Sequence, residues 1–127
     1  MFGKTRQSRG KLADLAGRMA EESVERVLTQ RGLAILHRRW RGIAGEIDLI
    51  CQDGDCLVFV EVKKSTSHDM AALRLSRAQQ NRICLAAQEY CGRQGMPSEV
   101  QMRFDVALVD QAGRVDILEN AIEGSDA

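Results

Sequence analysis

The chain has 127 residues, 44% of them apolar and 28% charged, and its 18 Lys/Arg and 18 Asp/Glu cancel to a formal net charge of zero. That length gives room for one domain and one core, and the apolar share excludes a wholly disordered chain. No apolar run is long enough to cross a bilayer and Met1 to Lys11 holds no apolar signal core, so the default address is the cytosol, away from membranes.

The neutral total hides an asymmetry. Residues 1–45 carry ten Lys/Arg against four Asp/Glu, an excess of +6, and residues 46–127 carry the compensating −6. A basic half suits a phosphate backbone and an acidic half suits cations, although solvated helix faces give the same pattern.

Met1 to Gly10 is polar, basic and aperiodic, which predicts a flexible basic tail over residues 1–11, one domain over 12–122 and a flexible tail over 123–127. From Leu12 the apolar positions run Leu15, Ala16, Met19, Ala20, Val24, Val27 and Leu28, the spacing of one helical face, and Gly32 is placed to end the helix. Leu33 to Trp40 begins apolar, turns basic and reads as a first strand, followed by a turn from Gly42 to Gly45. Glu46 to Cys51 and Cys56 to Lys63 are rich in β-branched residues and flank Gln52-Asp53-Gly54-Asp55, a strong hairpin signal. Residues 71–91 read as a second helix, with Leu75, Ala78, Ile83, Ala86 and Tyr90 at helical intervals and Gly92 to Pro97 breaking it. Val100 to Asp110 and Val115 to Leu118 are closing strands. The order α-β-β-β-α-β-β predicts an α/β fold with a mixed sheet covered by helices. Cys51, Cys56, Cys84 and Cys91 lack the paired spacing of a zinc site and read as reduced thiols acting as small apolar groups.

With Asp53 and Gly54 as the two loop residues, Cys51 faces Cys56, Asp48 faces Phe59 and Glu46 faces Glu61. One side of the hairpin then carries Ile47, Leu49, Cys51, Cys56, Val58, Val60 and Val62, all apolar. The other carries Glu46, Asp48, Glu61 and Lys63 at its open end, with Asp48 and Glu61 diagonal neighbours about 7–8 Å apart at Cα. Carboxylates crowded this way repel, and a divalent cation relieves the repulsion; Mg²⁺ and Mn²⁺ favour such hard oxygen donors. Lys63 on the same face is suited to orienting a water and to stabilising charge on a phosphoryl oxygen. A solvated edge hairpin with Glu–Lys pairs is the plainer alternative. Glu21, Glu22 and Glu25 border the apolar stripe of the first helix, and periodicity does not choose a third carboxylate among them.

Gly45-Glu46-Ile47-Asp48-Leu49-Ile50, Val58-Phe59-Val60-Glu61-Val62-Lys63, Arg103-Phe104-Asp105-Val106 and Asn120-Ala121 resemble the signature blocks of the YraN-type bacterial family. That family is placed in the PD-(D/E)xK, restriction-endonuclease-like superfamily, together with Holliday-junction resolvases. The resemblance implies an αβββαβ core, Asp48 and Glu61 as ligands of Mg²⁺ or Mn²⁺, Lys63 as the catalytic lysine and Glu21 as the helix carboxylate. It also implies DNA as partner and a homodimer, as in the junction-cutting relatives. Three positions depart from the pattern: Ala20 stands for Gly, Ser65 for Arg and Gln79 for Lys.

Trp40 with Arg38, Arg39 and Arg41 is a candidate base-stacking and phosphate-holding patch, and Gln79 a candidate contact from the second helix. The plainer reading of Trp40 is a cap on the core edge, and of Arg103 with Asp105 a structural ion pair. His37 and His68 pair with nothing in the sequence and receive no role. The leading function is a Mg²⁺-dependent nuclease acting on DNA phosphodiesters with structure selectivity. The alternative is a non-catalytic nucleic-acid-binding or assembly module that keeps the fold.

Overall fold

Among the described residues seven elements follow along the chain: helix α1 (Arg6–Gln30), strands β1 (Ala34–Arg41), β2 (Glu46–Asp53) and β3 (Cys56–Lys64), helix α2 (Arg77–Arg93), and strands β4 (Gln101–Val109) and β5 (Val115–Leu118). The computed structural model describes residues 6–64 and 75–121, with side chains from residue 15 onward. The strands form one sheet in the order β1-β2-β3-β4-β5, and only β3 and β4 run parallel. A parallel pair needs a crossover, and α2 lies within it.

Each face of the sheet carries a core. On one, Ala20, Val24 and Leu28 of α1 pack on Leu49, Cys51, Val58, Val60, Ala107 and Val109. On the other, Ile83, Ala86, Ala87 and Tyr90 of α2 pack on Ile50, Leu57, Phe59, Phe104, Val106 and Leu108. Strict alternation along β3 thus feeds two layers at once, which makes this the most buried strand of the hairpin. Among the described side chains of α1 the buried positions begin at Ala20; Leu15 and Met19, part of the expected stripe, are exposed.

Both helices end on a wrapped last turn. Leu33 N–H bonds Leu28 O and Gly32 N–H bonds Thr29 O, with Gly32 at φ 91°, so Gly32 stops α1 as the sequence suggested. The same pattern, Met96 to Cys91 and Gly95 to Gly92, ends α2. Gly92 therefore lies inside the helix, and within the stretch Gly92 to Pro97 expected to break it Gly95, at φ 67°, supplies the left-handed residue.

Three further boundaries differ from the sequence reading. Helix α1 begins at Arg6, within the stretch expected to be a tail; residues 1–5 and 122–127 lie outside the described residues. Helix α2 begins at Arg77, not 71, because Ser76 accepts from Gln79 N–H while the Gln79 side chain accepts from Ser76 N–H, a reciprocal cap that fixes the first turn. The hairpin pairs Asp53 with Cys56 and Leu49 with Val60, so the loop residues are Gly54 and Asp55. Only the first of them has positive φ (Gly54, 60°), which is the II′ arrangement with glycine leading, not a turn with Asp53 at its first central position. The slip moves the pairing by two residues, so the side chains of both hairpin strands that pack in the two cores keep the faces assigned to them, with one departure on β2. Ile47 is the exception: it joins the α2-side core and not the α1 side.

Candidate metal centre

The β2–β3 ladder closes at Leu49 and Val60. One step beyond, the register sets Asp48 across from Glu61, closer than the diagonal relation read from sequence. On its other side Asp48 faces Arg39 of β1, whose φ is 51°, since the flanking pairs are Arg38 with Leu49 and Trp40 with Ile47. With the ladder ended, side chains take over the main-chain groups: Val62 N–H donates to Asp48 Oδ2 at 2.8 Å, and the Asp48 main chain bonds the Glu61 carboxylate.

The two carboxyl groups share a hydrogen bond and are half-buried. Burial is the largest cause pushing Asp48 up to about 6; the Val62 bond opposes it, and the charges of Glu21 and Glu46 add to it. Burial, and then the Asp48 charge, push Glu61 up to about 8. Glu61 Oε1 is buried and has no hydrogen-bond partner. Such an atom is costly, because a buried acceptor normally finds a donor or a cation.

The pair opens onto a cleft of about 370 Å³ between β2, β3 and α2, lined among others by Gly45, Lys63, Gln79 and Arg82. Lys63, two residues along β3 from Glu61, forms no ion pair among the described residues. Gln79 reaches the cleft wall from the first turn of α2, its side-chain oxygen committed to the cap. A larger apolar groove, about 480 Å³, lies between α1 and Val109 to Gly113. Its Asp110 carboxylate is spent on its own turn, bonding Ala112 and Arg114 N–H, so it offers no comparable chemistry.

Among the described residues no group of three or more His, Cys, Asp and Glu side chains is gathered closely enough to enclose a metal. Glu46 is bridged to Arg41 at 2.9 Å and Glu21 to Arg39 at 2.8 Å. Glu21 is nevertheless near enough for its charge to act on Asp48. The donor set, two hard carboxylates with one oxygen unmatched and an open cleft, suits Mg²⁺ or Mn²⁺, which keep several waters and take few protein ligands.

The basic patch differs from the expectation. Arg38 grips Glu25 of α1 with both carboxylate oxygens at 2.9 and 3.0 Å, and Arg39 and Arg41 have the partners just named. The three arginines therefore sew the edge strand to α1 and β2. Trp40 is half-buried, edge-on to Tyr90 at 5.4 Å, with the Arg93 guanidinium 5.8 Å over its ring; it caps the core and has no open face for a base on that side. Arg103 is paired with the fully buried Asp105, which also accepts from Asn120 N–H at 2.9 Å, so this is a structural lock on the end of the domain. His37 stands edge-on to Tyr90; His68 lies outside the described residues. Cys51 and Cys91 are buried in opposite cores and all four described thiols are free.

Glu89 was not singled out by sequence. It holds the β1–β2 turn by accepting from Ile43 and Ala44 N–H, a long-range contact that no local spacing signals. The Ser76 cap, by contrast, was written plainly as Ser-x-x-Gln.

An αβββαβ order, a mixed five-stranded sheet with a helix on each face, and an Asp–Glu–Lys constellation where β2 and β3 part define a restriction-endonuclease-like α/β domain. The chain belongs to the uncharacterised protein family UPF0102, whose model matches residues 20–109, the family to which the YraN-type blocks pointed. It is 51% identical over 112 residues to a UPF0102 protein of Cereibacter sphaeroides, covering 88% of this chain and 96% of that one. UPF0102 proteins of Ruegeria pomeroyi (48% over 118 residues; 93% and 96% covered) and Dinoroseobacter shibae (47% over 119; 94% and 89%) are similar to it as well. No helix among the described residues is long and apolar enough to cross a membrane.

Proposed function

We propose that this protein is a nuclease acting on DNA phosphodiesters with the help of Mg²⁺ or Mn²⁺, with Asp48 and Glu61 as the ligands. One observation carries the reading: the buried, unmatched Glu61 Oε1 beside a second carboxyl group, a pair that is strained without a cation and satisfied by one. When bound, the cation supplies Lewis acidity and charge neutralisation at a phosphoryl oxygen. Lys63 adds a positive charge on the same wall of the cleft, where it stabilises negative charge developing on the phosphate and holds a water in line. Arg82, also on that wall, steers the backbone toward the pair. Glu21 acts on the same centre through its charge on Asp48.

The test is calorimetric titration of Mn²⁺ into wild type and Asp48→Ala, followed by cleavage of nicked, branched and intact duplexes. Binding lost with Asp48, and cutting lost in both Asp48→Ala and Glu61→Ala while the fold persists, uphold the reading. Mn²⁺ binding indifferent to Asp48 sinks it.

The second reading, a nucleic-acid-binding or assembly module without efficient catalysis, is favoured by the lack of a third converging ligand among the described residues. Salt-sensitive DNA binding that survives both substitutions, with no cutting at any metal concentration, selects it.

A further inference from the structure

The turn between β1 and β2 is built to be stiff, yet it displays an apolar side chain. Gly42 N–H closes it onto Gly45 O at 2.9 Å. Glu89 reaches across from α2 and accepts from Ile43 N–H at 2.9 Å and Ala44 N–H at 3.0 Å, and Arg93 holds that carboxylate at 2.7 Å. A Cβ at Gly42 would lie 2.5 Å from Glu89 Oε1 and 2.6 Å from the Trp40 ring, so a side chain there would have to displace the Glu89 carboxylate or the Trp40 ring. At the tip of this anchored turn Ile43 is 92% exposed, whereas the next most exposed large apolar residue among the described ones, Met19, is 58% exposed.

A single exposed apolar residue is ordinary on a protein surface. One bolted to a helix through its own backbone is less so, because a rigid mount is what an inserting side chain needs. The neighbours of Ile43 along the chain are Arg41, Gly42, Ala44 and Gly45, one cation and three small residues. The turn leads directly into the cleft. Gly45 lines it, and Arg82, whose Cγ would lie 2.9 Å from a Cβ at Gly45, forms no ion pair among the described residues.

We propose that Ile43 is an apolar wedge that enters a base step of DNA held at the Asp48–Glu61 cleft. This rests on the reading of that cleft as a nuclease site and adds a substrate preference to it. Apolar wedges of this kind part stacked bases at a cost that is smallest where stacking is already broken, as at a nick or branch point. Five residue-to-residue steps of chain run from Ile43 to Asp48, a span of at most about 17 Å. The opened step therefore lies within about five base steps of the cut.

The experiment uses full-length Glu61→Gln protein, which keeps binding separate from cutting, and a nicked duplex carrying 2-aminopurine within five steps of the nick. Binding should raise the fluorescence several-fold; Ile43→Ser should bind without the rise, and Ile43→Phe should restore it. In the wild-type background Ile43→Ser should reduce the preference for nicked over intact duplex by about tenfold. Binding without a rise, or a rise that persists in Ile43→Ser, overturns the wedge. Cutting by wild type reads the underlying function separately: cleavage with no rise sinks the wedge alone, and an Ile43-dependent rise with no cleavage upholds the wedge and sinks the nuclease. Because Ile43 makes no side-chain contribution to either core, its substitutions leave the melting temperature unchanged and loss of signal cannot come from unfolding.

Discussion

Asp48 and Glu61 store a conflict at the scale of single atoms. Each is more basic in the folded chain than in the unfolded one, where the ordinary values are 3.8 and 4.5. The native state therefore binds more protons than the unfolded state, and the stability these groups contribute is present in full below about pH 4. It is lost as pH rises through about 6 for Asp48 and about 8 for Glu61. Urea unfolding in chelator should show stability falling from pH 4.5 to pH 8, with the fall flattened by Mn²⁺, which takes the place of the proton. A flat or rising profile in chelator would contradict the pairing. The isosteric Glu61→Gln removes the repulsion without changing volume. It should raise the metal-free stability at pH 8 by on the order of 1 kcal/mol and abolish the rise in melting temperature that Mn²⁺ gives wild type. Calorimetry of the two proteins, with and without Mn²⁺, checks both halves.

Elements are where the sequence was most informative and where its gaps have clear causes. Periodicity placed every strand to within two residues and gave the final strand, Val115–Leu118, outright, because period-two patterns bounded by turn residues are local signals. The face of the sheet carrying Asp48, Glu61 and Lys63 was legible for the same reason. Their mutual distance was not, because it depends on which two residues of Gln52-Asp53-Gly54-Asp55 form the loop, and Asp-Gly and Gly-Asp are both sound turn pairs. Nor could periodicity foresee that Arg38, Arg39 and Arg41 would be matched one by one with Glu25, Glu21 and Glu46, since those partners are up to 18 residues away along the chain. The turn makes its own prediction. Gly54 at φ 60° holds a conformation that a Cβ opposes, so Gly54→Ala should cost about 1–2 kcal/mol in denaturant unfolding. The hairpin tip is remote from the carboxylates, which sit past the other end of the ladder. Mn²⁺ affinity of the folded variant should therefore match wild type, and a weakened affinity would mean that the tip and the site are coupled.

On the scale of the whole molecule, a net charge of zero and a basic first third are reconciled by geometry. Helix α1 lies against the edge strand, and its acidic residues neutralise that strand's arginines, so the +6 counted over residues 1–45 overstates the field that a phosphate backbone meets. Exposed ion pairs of this kind are weakly held and exchange readily with other anions. Arg38 illustrates it: its side chain is 62% exposed although Glu25 occupies both of its near donors. Removing the carboxylate while keeping its shape, as in Glu25→Gln, leaves the helix in place and the guanidinium charge unmatched. DNA binding by this variant should tighten, and the slope of log affinity against log salt should steepen by about 0.9, the value of one added phosphate contact. Arg38→Ala in the wild-type background should change that slope little, because the charge it deletes is already compensated. Fluorescence anisotropy over 50–300 mM salt measures both. A Glu25→Gln slope equal to wild type would mean that Arg38 faces away from the bound backbone, leaving Lys63 and Arg82 in the cleft as the cations that set the affinity.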